Sequence, residues 1–244
     1  EGHLDEAYEA INDEAYALTR EYPDLFYWFC NLDPRMGENS TDTDFSVHLN
    51  KYKEMGAKGV GEIFSNLYFD DPFVDNMLSH CEKCSMPVLF HMTPVQGQFY
   101  GLADDIGLPR LEKMLAKYPD LIFIGHSQPF WAEISSDLSE DQRNDLPQGK
   151  ITSGRVTNLM RSYANLHADL SAFSGFNALS RDPEFAYSFI DEFQDRLVYG
   201  TDLLMPMRNI PLAEFLDKAV EEDLISESAY GKVCRENALK VLES

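Results

Sequence analysis

Four short apolar runs each end in a group that can bind a metal ion or move a proton. Val60-Gly61 leads to Glu62, Val88-Leu89-Phe90 to His91, Leu121 through Gly125 to His126, and Leu197 through Thr201 to Asp202. Two neutral imidazoles and a carboxylate form a nitrogen–oxygen donor set suited to Zn²⁺, Mn²⁺ or Fe²⁺. A bound cation lowers the pKa of its water from about 15.7 toward 7, and a carboxylate beside it can pass the released proton to a leaving group. The four groups lie far apart in sequence. Only a fold that collects strand ends at one face can assemble them.

The spacing of the apolar runs predicts such a fold. They cover Leu25–Cys30, Gly59–Ile63, Pro87–Phe90, Leu121–Gly125, Leu166–Ser171 and Leu197–Gly200, and their starts are 28 to 45 residues apart. That is the repeat of consecutive βα units. Helices are predicted over Glu1–Tyr22, Phe45–Met55, Asp71–Cys84, Leu108–Lys117, Glu184–Phe193, Leu212–Val220 and Lys232–Leu242. Runs that are apolar throughout are expected of parallel strands buried on both faces. No GxGxxG or Walker pattern occurs, which weighs against an open doubly wound sheet. The expected class is α/β, a (β/α)8 TIM-type barrel with its site at the carboxyl ends of the strands. About six βα units are recognisable, so the barrel is expected to be incomplete at its amino-terminal end. Without a Gly- or Ser-rich linker, residues 1–244 read as one barrel domain. A polar insertion at about 134–155 could cover a site.

Composition narrows the partners. With 42 acidic and 20 basic residues the formal charge is −22, a field that repels nucleic acid and anionic lipid. No apolar run reaches the roughly 18 residues of a membrane helix. The expected partner is a small molecule, with a homo-oligomer left open, and neither nucleic acid nor membrane. Four scattered cysteines make no disulfide framework and favour a reducing, cytoplasmic setting. Cys81 and Cys84 form a lone CxxC, read as helix-end residues.

Several longer segments carry a resemblance. PVLFH (87–91), FIGHSQPFW (123–131), NLHADLSAFSG (165–175), LVYGTDLL (197–204), YPDLFYWFCNLDP (22–34) and Glu236-Asn237-Ala238-Leu239 are similar to motifs of the amidohydrolase-related family, within the metal-dependent amidohydrolase superfamily. The order His, His, Asp is its specific part. The resemblance implies a TIM-type barrel with His91 as the strand-five ligand, His126 as the strand-six imidazole and Asp202 as the strand-eight carboxylate. Asp202 would also shuttle a proton, with His126 as the second catalytic group. Glu62 resembles a strand-four carboxylate ligand of some branches. The implied cofactor is one divalent ion, Zn first, with Mn or Fe as alternatives.

The family's first strand normally carries a His-x-His pair, and this sequence contains none. Either the chain begins downstream of the first βα units, as its start at Glu1 without a Met suggests, or the barrel is reduced. His3, on the acidic opening helix, is a poor substitute.

The expected function is attack of metal-activated water on the carbonyl carbon of a small amide, ester or lactone. One alternative is a metal-dependent lyase, decarboxylating or hydrating a small unsaturated or aromatic carboxylic acid. Another is a non-catalytic barrel relic. Trp131 is expected to wall the substrate pocket, and Arg181 to meet a substrate carboxylate. His167, Asp169 and Ser171 share one strand face by the period of two. Asp169 is placed toward the barrel interior and His167 toward the end away from the site.

Overall fold

The computed structural model describes residues 3–203, 205 and 209–243. Glu1, the side chain of His3 and Leu204 of the LVYGTDLL segment lie outside the described residues. The strands are β1 (Val60–Ile63), β2 (Val88–Thr93), β3 (Leu102–Ala103), β4 (Phe123–His126), β5 (Leu166–Asp169) and β6 (Leu197–Val198). All pairings between them are parallel, in the order β1-β2-β4-β5-β6 with β3 beside β2. Five of the six predicted runs therefore hold a strand, and β3 is an addition.

The first run differs. Leu25–Cys30 contributes one parallel bridge, Cys30 to Val60. Cys30 N–H donates to Gly59 O and Gly61 N–H to Cys30 O, each at 2.9 Å. Leu25, Phe26 and Tyr27 are exposed. Among the described residues no strand pairs on their outer side, and nothing joins this edge to β6 at the other end. The sheet is an arc of barrel type, with six strand positions and an open side.

The helices are α1 (His3–Glu21), α2 (Ser46–Glu54), α3 (Pro72–Lys83), α4 (Pro109–Lys117), α5 (Gln128–Ala132), α6 (Arg155–Ser162), α7 (Ala172–Ser180), α8 (Pro183–Phe193), α9 (Leu212–Glu221), α10 (Glu227–Gly231) and α11 (Asn237–Leu242). Proline opens α3, α4 and α8, where its missing N–H has no intrahelical partner to lose. The last predicted helix begins with a π-helical turn, Lys232–Glu236, continuous with α10 and α11. Asn237 docks it, its Nδ2 donating to Gln194 O at 2.6 Å and Leu197 O at 2.8 Å beside β6. No described helix is long and apolar enough to cross a membrane.

Behind the sheet runs an aromatic seam. Phe69 meets Phe90 edge-on at 4.9 Å, Phe90 meets Phe130 at 5.9 Å, and Trp131 bridges Phe130 to Phe189 at 5.3 and 6.2 Å. Edge-to-face packing of this kind adds about 0.5–1.5 kcal/mol per pair beyond area burial. It fixes α5 and α8 against β2 and β4.

The insertion after α5 is irregular apart from one 3₁₀ turn at Glu140–Gln142 and a bridge between Ser135 and Ser153. Arg143 pins it. Its wholly buried guanidinium donates to Pro94 O and Asp104 O at 3.3 and 2.8 Å, tying the insertion to the chain after β2.

His167, on β5, is held neutral by burial and by the nearby Arg196 charge, with its pKa pushed down to about 4. The unfolded chain takes up this proton near pH 6.5, whereas the folded chain resists it until about 4. This stability is therefore present above pH 6.5 and lost as pH falls toward 4. Urea unfolding should show at most about 2 kcal/mol of it lost between pH 7 and 5. His167→Gln should flatten that difference, and an unchanged slope would remove His167 as its source.

Candidate metal centre

Register brings the donors to one level. His91 on β2 pairs with His126 on β4, and Gly125 pairs with Ala168, which sets Asp169 of β5 beside His126. The period of two then turns His91, His126 and Asp169 to the concave face, while Phe90 and Ala168 pack behind it. Glu62 reaches the same place from β1. Gly61 makes this possible: at φ +149°, a Cβ there would stand 2.6 Å from Leu89 O, so only glycine lets β1 lie this close to β2.

Glu62 Oε1 lies 2.5 Å from His91 Nδ1 and 3.8 Å from His126 Nε2. One donor atom from each of the three residues falls within 4.8 Å of the others, the span one ion can bridge. Two imidazoles and one carboxylate oxygen suit zinc, manganese or iron, so the residues present fit a divalent ion.

The other nitrogen of His126 is committed elsewhere. His126 Nδ1 sits 2.8 Å from Asp169 Oδ2 and 3.2 Å from Ser171 Oγ, and Ser171 donates to the same Asp169 oxygen. A carboxylate behind an imidazole fixes its tautomer, with Nδ1 protonated and the Nε2 lone pair facing the centre. Burial alone would push the His126 pKa down. The hydrogen bond to Asp169 and its charge, reinforced by Glu62 and Asp202, carry it above the ordinary value.

Asp202 lies just beyond β6 in left-handed conformation, at φ +50°. It lines the same pocket as Glu62, His126 and Asp169, and its charge acts on both His126 and Tyr100. Of the four predicted donors, Glu62, His91 and His126 form the close cluster, and Asp202 lines the pocket beside it. The pocket holds about 350 Å³ and is mainly apolar, with Leu89, Ile124 and Val198 from the strands, Phe29 from the run that bridges to β1, and Val241 and Leu242 from α11.

Two expected substrate contacts do not join it. Trp131 is only 2% exposed, lies in the aromatic seam and donates its indole N–H to Asp169 O at 2.8 Å. It supports the site from behind. Arg181 follows α7 and faces a separate small cavity beside Asp137 and Gln142 of the insertion. α7 runs from Ser171 at the centre to Arg181 at its far end, so neighbours in sequence are parted in space. The role of Asp169 and Ser171 toward His126 was not visible in the sequence, although their shared strand face was.

A family model for amidohydrolases matches residues 2–243. The chain belongs to the amidohydrolase family. Solved structures of similar fold include 2,6-dihydroxybenzoate decarboxylase from Rhizobium, at 19% identity and a TM-score of 0.61, covering 98% of this chain and 77% of that one. Dihydroxybenzoic acid decarboxylase from Polaromonas sp. JS666, with bound manganese and 2-nitroresorcinol, aligns at 18% identity and a TM-score of 0.59, covering 98% and 75%. 5-Carboxyvanillate decarboxylase from Novosphingobium aromaticivorans, with manganese and 4-hydroxy-3-methoxy-5-nitrobenzoic acid, aligns at 20% and 0.61, covering 99% and 72%. No curated protein matches the sequence. At these identities the likeness establishes the fold of this amidohydrolase-family chain.

Proposed function

We propose that the chain is a metal-dependent, non-oxidative decarboxylase of a small hydroxylated aromatic acid. The observation that carries this reading is the Glu62–His91–His126 donor cluster at the rim of a mainly apolar pocket of about 350 Å³. The lower end of the usual size range for ligand pockets suits one substituted ring. Support for the aromatic acid comes from similar folds, which include decarboxylases of dihydroxybenzoate and carboxyvanillate. Hydrolysis of an amide, ester or lactone, the reading first expected from the sequence, becomes the second reading.

Electrostatics fits a cation at the centre. Glu62, Asp169 and Asp202 place three carboxyl groups around two imidazoles, in a protein of charge −22. A carboxylate substrate would be repelled unless a positive charge met it there. Glu62, His91 and His126 would hold the ion, with Asp202 near enough to join. Manganese is favoured over zinc because two of the similar structures contain it. A divalent ion there supplies a Lewis acid for the substrate's oxygen atoms.

The chain's own residues do the rest. Phe29, Leu89, Ile124 and Val198 offer the ring an apolar wall and exclude water. Asp169 keeps His126 Nε2 turned to the centre. Asp202 passes a proton to the ring carbon that bears the carboxylate. The bond between that carbon and the carboxylate then breaks, its electron pair restores the aromatic ring, and carbon dioxide leaves. Asp202 recovers a proton from solvent.

The test incubates the manganese-loaded chain with 2,6-dihydroxybenzoate and follows resorcinol and carbon dioxide. Their release in equal amounts is expected. Hydrolysis of ester or lactone substrates without carbon dioxide would instead establish the second reading.

A further inference from the structure

The pocket at the metal centre is polar at one end and apolar at the other. Glu62, His126, Asp169, Ser171, Thr201 and Asp202 make up its polar lining, and all of them stand at or just beyond the carboxyl ends of their strands. Leu89 and Ile124, paired across β2 and β4, precede His91 and His126 by two residues. They therefore occupy the same inner face, about 6.6 Å nearer the amino ends of the strands.

The carboxyl-terminal helix closes the apolar end. Tyr199 N–H, just past β6, donates to Val233 O at 2.9 Å, while Asn237 Nδ2 reaches Leu197 O at the start of β6 and Gln194 O before it. The helix thus descends beside β6 toward the amino ends of the strands. Ala238, Val241 and Leu242, spaced along one helical face, then line the deep side of the pocket. A ring whose carboxylate and neighbouring hydroxyl meet the donors turns its opposite edge to this side. Among the described residues that line it, Leu89, Ile124, Ala238, Val241 and Leu242, none is polar. A hydroxyl at that edge would lose its water and gain no partner, whereas a methyl or ethyl group would gain burial.

We propose that the preferred substrate is a 2-hydroxybenzoate carrying an apolar substituent opposite its carboxylate, with Ala238, Val241 and Leu242 of α11 as the specificity-determining wall. Ala238, the smallest of the three, leaves the room for that substituent. The inference rests on the decarboxylase reading, which seats the carboxylate at Glu62, His91 and His126. Hydroxyls beside the carboxylate stay at the polar end and are tolerated.

The test measures equilibrium binding of 2-hydroxybenzoate and its 4-methyl, 4-ethyl and 4-hydroxy derivatives to the manganese-loaded chain by calorimetry, with metal content and carbon dioxide release followed alongside. The 4-methyl acid should bind about tenfold tighter than the 4-hydroxy acid, which is nearly the same shape, and tighter than the unsubstituted parent. Ala238→Leu should fill the space and weaken the 4-ethyl acid about tenfold more than 2-hydroxybenzoate, at unchanged metal content. Val241→Thr, which adds a hydroxyl at similar shape, should narrow the preference for methyl over hydroxyl. If Ala238→Leu fails to fold, Ala238→Val carries the same comparison. A wild type that decarboxylates 2-hydroxybenzoate but binds the 4-hydroxy acid as tightly as the 4-methyl acid overturns the inference alone. An Ala238→Leu chain that weakens both ligands equally, or neither, does the same. A wild type that releases carbon dioxide from none of the four acids sinks the decarboxylase reading, and the inference with it.

Discussion

Replacing His91 by alanine is expected to empty the metal centre. His91 supplies one of three donor residues, its Nδ1 standing 2.5 Å from Glu62 Oε1. With two donors left, metal content after gel filtration should fall from about one ion per chain to a small fraction of that. Turnover should fall about 10³-fold, because several kcal/mol of charge stabilisation at the substrate oxygens go with the ion. The fold should survive. His91 lies at the carboxyl end of β2, under Tyr100, while Val88 and Phe90 make the core contacts of that strand. Adding manganese should raise the melting temperature of the wild type and leave that of His91→Ala unmoved, since an ion stabilises only the state that binds it. An equal rise in both would show that His91 is not a ligand. A wild type that no divalent ion stabilises would favour the non-catalytic reading.

The parts of this site that were legible in the sequence are those that depend on one strand at a time. Glu62, His91, His126 and Asp202 each follow an apolar run, and parallel strands place their ends together whatever the intervening chain does. Cross-strand register is not legible in this way. It is what sets Asp169 level with His126, so Asp169 could be assigned a face but no partner.

Trp131 and Arg181 show the converse limit. Both are near site residues in sequence, but one turn of α5 carries Trp131 into the seam behind β4, and the length of α7 carries Arg181 to a different cavity. The run at Leu25–Cys30 has strand composition, yet a strand needs neighbours. With β1 on one side and no described partner on the other, it keeps a single bridge.

Asp169→Asn separates charge from shape behind the metal centre. The asparagine can still accept from His126 Nδ1 and keep the imidazole turned inward, but it carries no charge. Removing such a carboxylate typically costs 10- to 100-fold in metal affinity or activity, and we expect the loss here in kcat with KM nearly unchanged. An independent readout exists in the metal-free chain. His126 is carried above its ordinary pKa by Asp169 against the downward push of burial. With that charge gone, burial prevails, so the His126 titration followed by NMR should move to lower pH. Asp169→Ala should add a loss of orientation, since Ser171 Oγ, 3.2 Å away, is then the remaining polar neighbour of Nδ1. If both variants titrate His126 at the wild-type pH, the Asp169 carboxylate is not what tunes that imidazole. If the titration moves while kcat does not, Asp169 sets the imidazole's proton affinity without acting in the reaction.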